Sequence, residues 1–135
     1  MELTILLIQL AGVLHLIIAS ANFLLPKKLH YGENLAKLSP VVRQVFVVHS
    51  VYIVLVIVFF GCVALRFAPE MARGQGIFAW LSGFLAFFWL LRFPIQFFYF
   101  DPEIKRRHWV ANFFMSAAVL TAGAIYAAAA FGRLR

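Results

Sequence analysis

The stretch that decides the fold is IFAWLSGFLAFFWLLRFPIQFFYF, residues 77–100. It is apolar over more than the roughly 20 residues that a helix needs to cross a hydrocarbon core of about 30 Å. Arg92 lies well inside this stretch, and Gln96 and Tyr99 follow it on the same helical face. An ionised guanidinium in the membrane costs roughly 3 kcal/mol or more, so it usually faces a bundle interior, a partner or a polar ligand. The stretch therefore predicts a membrane helix that contributes to a polar site.

Three further apolar stretches have a similar length, and the composition of the chain agrees with them. Apolar residues make up 64% and charged residues only 13% of the chain, whereas soluble domains carry about 25% charged residues. Only helices satisfy all their backbone groups within one membrane-spanning segment. We therefore expect an all-α integral membrane four-helix bundle that forms a single transmembrane domain over residues 1–135. Its helices are predicted at about 3–25, 41–67, 77–100 and 102–131.

The basic residues are unevenly divided between the two ends of this bundle. We name the end that carries the loops of residues 26–40 and 101–108 side B, and the opposite end side A. Side B holds seven basic residues, namely Lys27, Lys28, Lys37, Arg43, Lys105, Arg106 and Arg107. Side A holds four, namely Arg66, Arg73, Arg133 and Arg135. The positive-inside bias places side B in the cytoplasm of a bacterial-type inner membrane, with both termini on the non-cytoplasmic side.

This charge distribution also bears on the partners of the chain. Basic loops at a membrane surface attract anionic lipid head groups, so membrane lipids are the first expected partners. Other membrane subunits or self-association are expected as well, because the fourth helix is rich in alanine, which permits close helix approach. Nucleic acid is not an expected partner.

Polar residues of three predicted helices lie at a common depth. Counted at 1.5 Å per residue from side B, His15, His49 and Arg92 lie about 12 to 15 Å into the membrane. We therefore predict a polar pocket in the side-B leaflet, lined by these three residues together with Gln96 and Tyr99. The histidines would act as ligands or hydrogen-bond donors, and Arg92 would clamp an anion or a carbonyl. Gln96 and Tyr99 would orient the head group of the bound molecule.

Such a pocket fits several functions. Two histidines on different helices can ligate haem iron axially, so His15 and His49 are metal ligands only if the cofactor is haem. The same donors can hold a quinone carbonyl, and the residues leave haem b and quinone both open. A non-catalytic accessory subunit of a larger membrane complex is the alternative. The single cysteine, Cys62, excludes an intrachain disulfide, and no zinc motif, nucleophilic triad or phosphate loop is present.

The layout also resembles the membrane-associated eicosanoid and glutathione metabolism family (MAPEG). The similar features are a long basic first loop, Arg43 six residues before His49, and the set of Arg92, Gln96 and Tyr99 leaving the third helix. The resemblance implies four helices, termini on the non-cytoplasmic side, a trimer, and glutathione held near the cytoplasmic leaflet. A glutathione-dependent membrane enzyme is therefore a second alternative function. The chain departs from the family after the histidine of the second helix, where the family's asparagine and glutamate have no counterpart.

Overall fold

The computed structural model describes residues 1–28, 30–99 and 101–132. These ranges contain no strand and form helices α1 (Glu2–Lys28), α2 (Tyr31–Ala36), α3 (Pro40–Arg66), α4 (Ala68–Arg73), α5 (Ile77–Phe98), α6 (Pro102–Arg107) and α7 (Trp109–Ala130). Four of them, α1, α3, α5 and α7, are long and apolar enough to cross a membrane. The predicted all-α bundle is confirmed, and these four helices make the chain an integral membrane protein.

Two helix boundaries differ from the prediction. The first helix continues to Lys28 and includes Pro26 in its last turn, where a proline removes one backbone donor close to water. The fourth predicted helix is divided into α6 and α7, because the backbone of His108 has φ −118° and ψ 38°, outside the helical region. The predicted end of the third helix, residue 100, lies outside the described ranges, as do the side-A arginines 133 and 135.

The start of α6 follows from its sequence. A carboxylate oxygen of Asp101 accepts a hydrogen bond from the backbone N–H of Glu103 at 2.7 Å, and Pro102 occupies the first helical position. Aspartate at the cap followed by proline is a typical helix start. The Nζ of Lys105 then donates to the carbonyl oxygen of Phe97 at 2.6 Å, which joins α6 to the end of α5.

Helix α1 lies at the centre of the bundle. It packs against α3 on one side and α7 on the other, α5 packs along α7, and α4 closes side A against α1 and α5. Some small residues of the alanine-rich α7 face inward: Ala122 and Ala129 are buried, whereas Ala117 and Ala124 are exposed. A Cβ added to Gly123 would lie 2.8 Å from Cδ2 of Leu90. The buried small residues therefore serve contacts within the bundle, where they let α5 and α7 approach closely.

Helices α1 and α3 cross at two glycines. A Cβ on Gly61 would lie 3.0 Å from Cβ of His15 and 3.1 Å from the carbonyl oxygen of Gly12, so no larger residue fits without movement. The buried residues of α3 are Ile57, Gly61 and Ala64, all in the half of the helix that is near side A. Its other half, residues 40–56, buries no residue. Helix α3 is therefore anchored near side A and diverges from the bundle toward side B.

Candidate functional site

His15 lies in the centre of the bundle with no exposed surface. Its Nδ1 is 2.8 Å from the carbonyl oxygen of Ala11, and its Nε2 is 2.7 Å from Nε1 of Trp89. A carbonyl oxygen only accepts and an indole N–H only donates, so Nδ1 carries the proton and Nε2 is the acceptor. The hydroxyl of Tyr126 lies 3.4 Å from Nδ1. His15 is thus a neutral imidazole with both ring nitrogens occupied by protein partners.

The aromatic rings around His15 reinforce this arrangement. The imidazole meets the ring of Trp89 edge to face, with centroids 4.9 Å apart, and the ring of Tyr126 at 5.6 Å. Phe88 in turn contacts Trp89 edge to face at 5.3 Å. Such pairs contribute about 0.5–1.5 kcal/mol beyond the area they bury. The cluster joins α1, α5 and α7 through these contacts.

His49 has a different environment. It lies on the exposed surface of α3, where its Nδ1 donates to the carbonyl oxygen of Val45 at 2.9 Å. A shallow groove beside it is formed by residues of α3 alone, among them Tyr52 and Val56. The structure therefore does not bring His49 and His15 to a common cavity. The pair does not fit a haem with two axial histidines, because Nε2 of His15 already accepts the indole proton.

The three predicted residues of α5 lie toward side B. The Nε2 of Gln96 donates to Oδ1 of Asn112 at 2.5 Å, which joins α5 to α7. Arg92 is half-buried one turn earlier, and Tyr99 is 84% exposed. The structure thus brings Gln96 together with Asn112 on the neighbouring helix and places Tyr99 at the surface. None of these three lines the groove beside His49.

A further candidate site was not predicted from the sequence. It is a groove of about 490 Å³ between the end of α1, helix α2 and the diverging half of α3, within the 300–1,000 Å³ typical of small-molecule pockets. Its walls are Asn22, Phe23, Pro26, Tyr31, Leu35, Phe46, Val47, Ser50, Val51, Ile53, Val54 and Leu55. Helix α2 closes the groove at side B, where the ring of Tyr31 contacts that of Phe46 at 5.5 Å. We name this feature the side-B groove.

The side-B groove has an apolar wall. Its two polar side chains are bonded within their own helices: Asn22 Nδ2 donates to the carbonyl oxygen of Ile18, and Ser50 Oγ to that of Phe46, each at 2.8 Å. Little polar surface is therefore left for a ligand inside the groove. The sequence signal that points to it is the pair Tyr31 and Leu35, two large residues one turn apart in the loop of residues 26–40.

Three basic residues lie close in sequence to the lining of the side-B groove. Lys27 follows the lining residue Pro26, Lys37 comes directly after α2, and Arg43 lies one turn before the lining stretch of α3; all three are exposed. Glu33 on α2 is the acidic residue of this segment, and it is exposed as well. The arrangement combines a hydrocarbon-lined cleft with an excess of positive charge at the head-group level.

No protein-family model, curated protein or solved structure matches the chain. The resemblance to the MAPEG family therefore stays a prediction. Among the described residues, no group of three or more histidine, cysteine, aspartate or glutamate side chains is placed to hold a metal ion.

Proposed function

We propose that this membrane protein binds one amphipathic, lipid-like molecule in the side-B groove, with side B facing the cytoplasm of a bacterial-type inner membrane. The observation that carries the proposal is the groove itself, an apolar cleft of about 490 Å³. We infer a basic mouth for it, because Lys27, Lys37 and Arg43 are exposed and lie close in sequence to its lining residues. A hydrocarbon tail would lie between α1 and α3 under α2. An anionic head group would be held by Lys27, Lys37 and Arg43.

Energetics indicate that the head group selects the ligand. A hydrocarbon tail gains little by moving from the bilayer to an apolar groove, because lipid tails are as apolar as leucine side chains. Each basic residue near the surface contributes about 1 kcal/mol toward an anionic head group. Three of them contribute about 3 kcal/mol, which corresponds to a preference on the order of 100-fold over a zwitterionic head group.

The residues that we predicted from the sequence bear on this proposal in different ways. The hydrogen bonds of His15 oppose haem as the ligand, whereas a quinone or a lipid needs no histidine lone pair. Arg92, Gln96 and Tyr99 lie toward the same leaflet on α5 and stay candidates for the contact with a polar head group. Glutathione, which the MAPEG resemblance implies, is a soluble anion without a tail, and only the basic mouth of the groove suits it.

A photo-cross-linking experiment tests the proposal. The protein is reconstituted into nanodiscs that contain phosphatidylglycerol with a diazirine in its acyl chain, and labelled peptides are identified by mass spectrometry. We expect labels on residues 46–55. A Val51→Trp variant fills the groove and should reduce this labelling about tenfold. The matched control is Val48→Trp, because Val48 is as exposed as Val51 (51% against 53%) but lies outside the groove.

The outcomes separate the alternatives. Equal labelling of both variants, or labels spread evenly around α3, would contradict a site in the groove. Replacing Lys27 and Arg43 by glutamine should remove the preference for phosphatidylglycerol over phosphatidylcholine. A wild-type protein without such a preference, or one that retains glutathione more strongly than phosphatidylglycerol, would argue for a different ligand.

A further inference from the structure

One exposed flank of α3 carries a regular seam. Its members alternate at spacings of three and four residues and are Val42, Val45, His49, Tyr52, Val56 and Phe59. All six are exposed, and we name them the outer seam. The 3.5-residue repeat is the pattern by which one helix packs lengthwise against another. The lining valines of the side-B groove, Val47, Val51 and Val54, belong to another flank of the same helix.

Two members of the outer seam are polar and complementary to each other. Because Nδ1 of His49 donates to the carbonyl oxygen of Val45, its Nε2 presents a lone pair to the outside. The hydroxyl of Tyr52, 65% exposed, makes no hydrogen bond to another residue in the described ranges. The two residues lie about 13 and 18 Å from the side-B end of α3, so both face hydrocarbon. Polar groups at such depth usually face another protein surface.

We propose that the outer seam is the interface of a parallel homodimer, in which Nε2 of His49 accepts the hydroxyl proton of Tyr52 from a second copy of this chain. Two copies insert into the membrane in the same direction, so a two-fold axis along the membrane normal sets α3 beside α3. A two-fold contact is self-complementary, and one donor with one acceptor then gives two hydrogen bonds. The offset of three residues, about 4.5 Å along the axis, is within reach of a tyrosine side chain.

The remaining seam positions favour the same occupant. In the heptad register, Val42, His49 and Val56 take the a positions, and Val45, Tyr52 and Phe59 take the d positions. A single polar residue at an a position fixes register and oligomer state, which is the role that the geometry gives to His49. A lipid would satisfy neither the acceptor of His49 nor the donor of Tyr52 in a fixed register, since its tail carries no polar group at this depth.

Cysteine cross-linking in membranes tests the position of the interface. In a Cys62→Ala background, which removes the one native thiol, Val45→Cys should give a disulfide-linked dimer on oxidation, because seam positions approach the two-fold axis. The control is Val51→Cys, at nearly the same exposure (51% and 53%) but on the groove flank. The proposal would be overturned if Val51→Cys formed the disulfide-linked dimer and Val45→Cys did not. It would also be overturned if Val45→Cys cross-linked to a different protein.

A mutational cycle tests the hydrogen bonds. Dimer dissociation is measured by energy transfer between labelled copies in liposomes at varied protein-to-lipid ratio. Tyr52→Phe and His49→Ala should each weaken the dimer by roughly tenfold, since two interhelical bonds are lost, and the double variant should be no weaker than the single ones. A wild-type protein that stays monomeric would overturn the proposal. A double variant whose loss of dimer affinity equals the sum of the two single losses would overturn it as well. Circular dichroism confirms that the variants, changed only at exposed positions, keep their helices.

Discussion

A Trp89→Phe substitution tests whether His15 is a structural residue of the bundle. The change removes the indole N–H that donates to Nε2 of His15 at 2.7 Å and leaves that acceptor in a site with no exposed surface. A buried acceptor without a partner costs about 1–3 kcal/mol, and the smaller phenyl ring adds a cavity cost on the order of 1 kcal/mol. We therefore expect the free energy of unfolding to fall by about 2–4 kcal/mol.

The assay is a mutant cycle with His15→Leu. Unfolding by sodium dodecyl sulfate in mixed micelles, followed by circular dichroism, gives the stability of each variant. His15→Leu leaves the indole N–H without its acceptor, whereas the double variant removes donor and acceptor together. The double variant should therefore lose about 1–3 kcal/mol less than the sum of the two single losses. Additive losses would refute the hydrogen bond as the reason for the burial of His15. A stable His15→Leu that no longer binds lipid would refute its structural role.

Three further predictions concern other contacts. Gly61→Ala should lower the free energy of unfolding by about 1–3 kcal/mol, because the new Cβ would lie 3.0–3.1 Å from its neighbours. The control is Gly32→Ala, which should be tolerated in the same unfolding assay, because no atom lies within 4 Å of its new Cβ. Asn112→Leu removes the acceptor of Gln96 and should cost about 0.6–1.7 kcal/mol; no measurable loss would contradict a bond between α5 and α7. Tyr126→Phe should cost less than about 1 kcal/mol, because its hydroxyl is 3.4 Å from a nitrogen that already donates elsewhere.

Hydropathy alone predicted the four membrane helices, since the length of an apolar segment is fixed by the thickness of the bilayer. The break at His108 could not be predicted, because no glycine or proline marks it in the sequence. The cap at Asp101, by contrast, could be read from its sequence, because the Asp-Pro pair acts through contacts within one turn.

The site was harder to predict. Helical periodicity shows which residues share one face of a helix, but it does not show which neighbouring helix covers that face. His15 and His49 lie at similar depth, yet His15 is covered by α5 and α7 while His49 is exposed, owing to the divergence of α3. The bond between His15 and Trp89 spans 74 positions, and no local pattern indicates it. The side-B groove depends on the same divergence, so its walls could be assigned only once α3 was placed.

The crossing at Gly12 and Gly61 has a mechanical consequence for the groove. Helix α3 is anchored near side A, and its first residue, Pro40, lies about 31 Å from Gly61 at 1.5 Å per residue. A rotation of about 5° around the crossing moves the far end by roughly 3 Å, against the single ring contact described between Tyr31 and Phe46. Membrane helices change their tilt with bilayer thickness. A thinner or thicker bilayer would therefore change the width of the side-B groove. The volume available to a bound molecule would then depend on the lipid composition of the membrane.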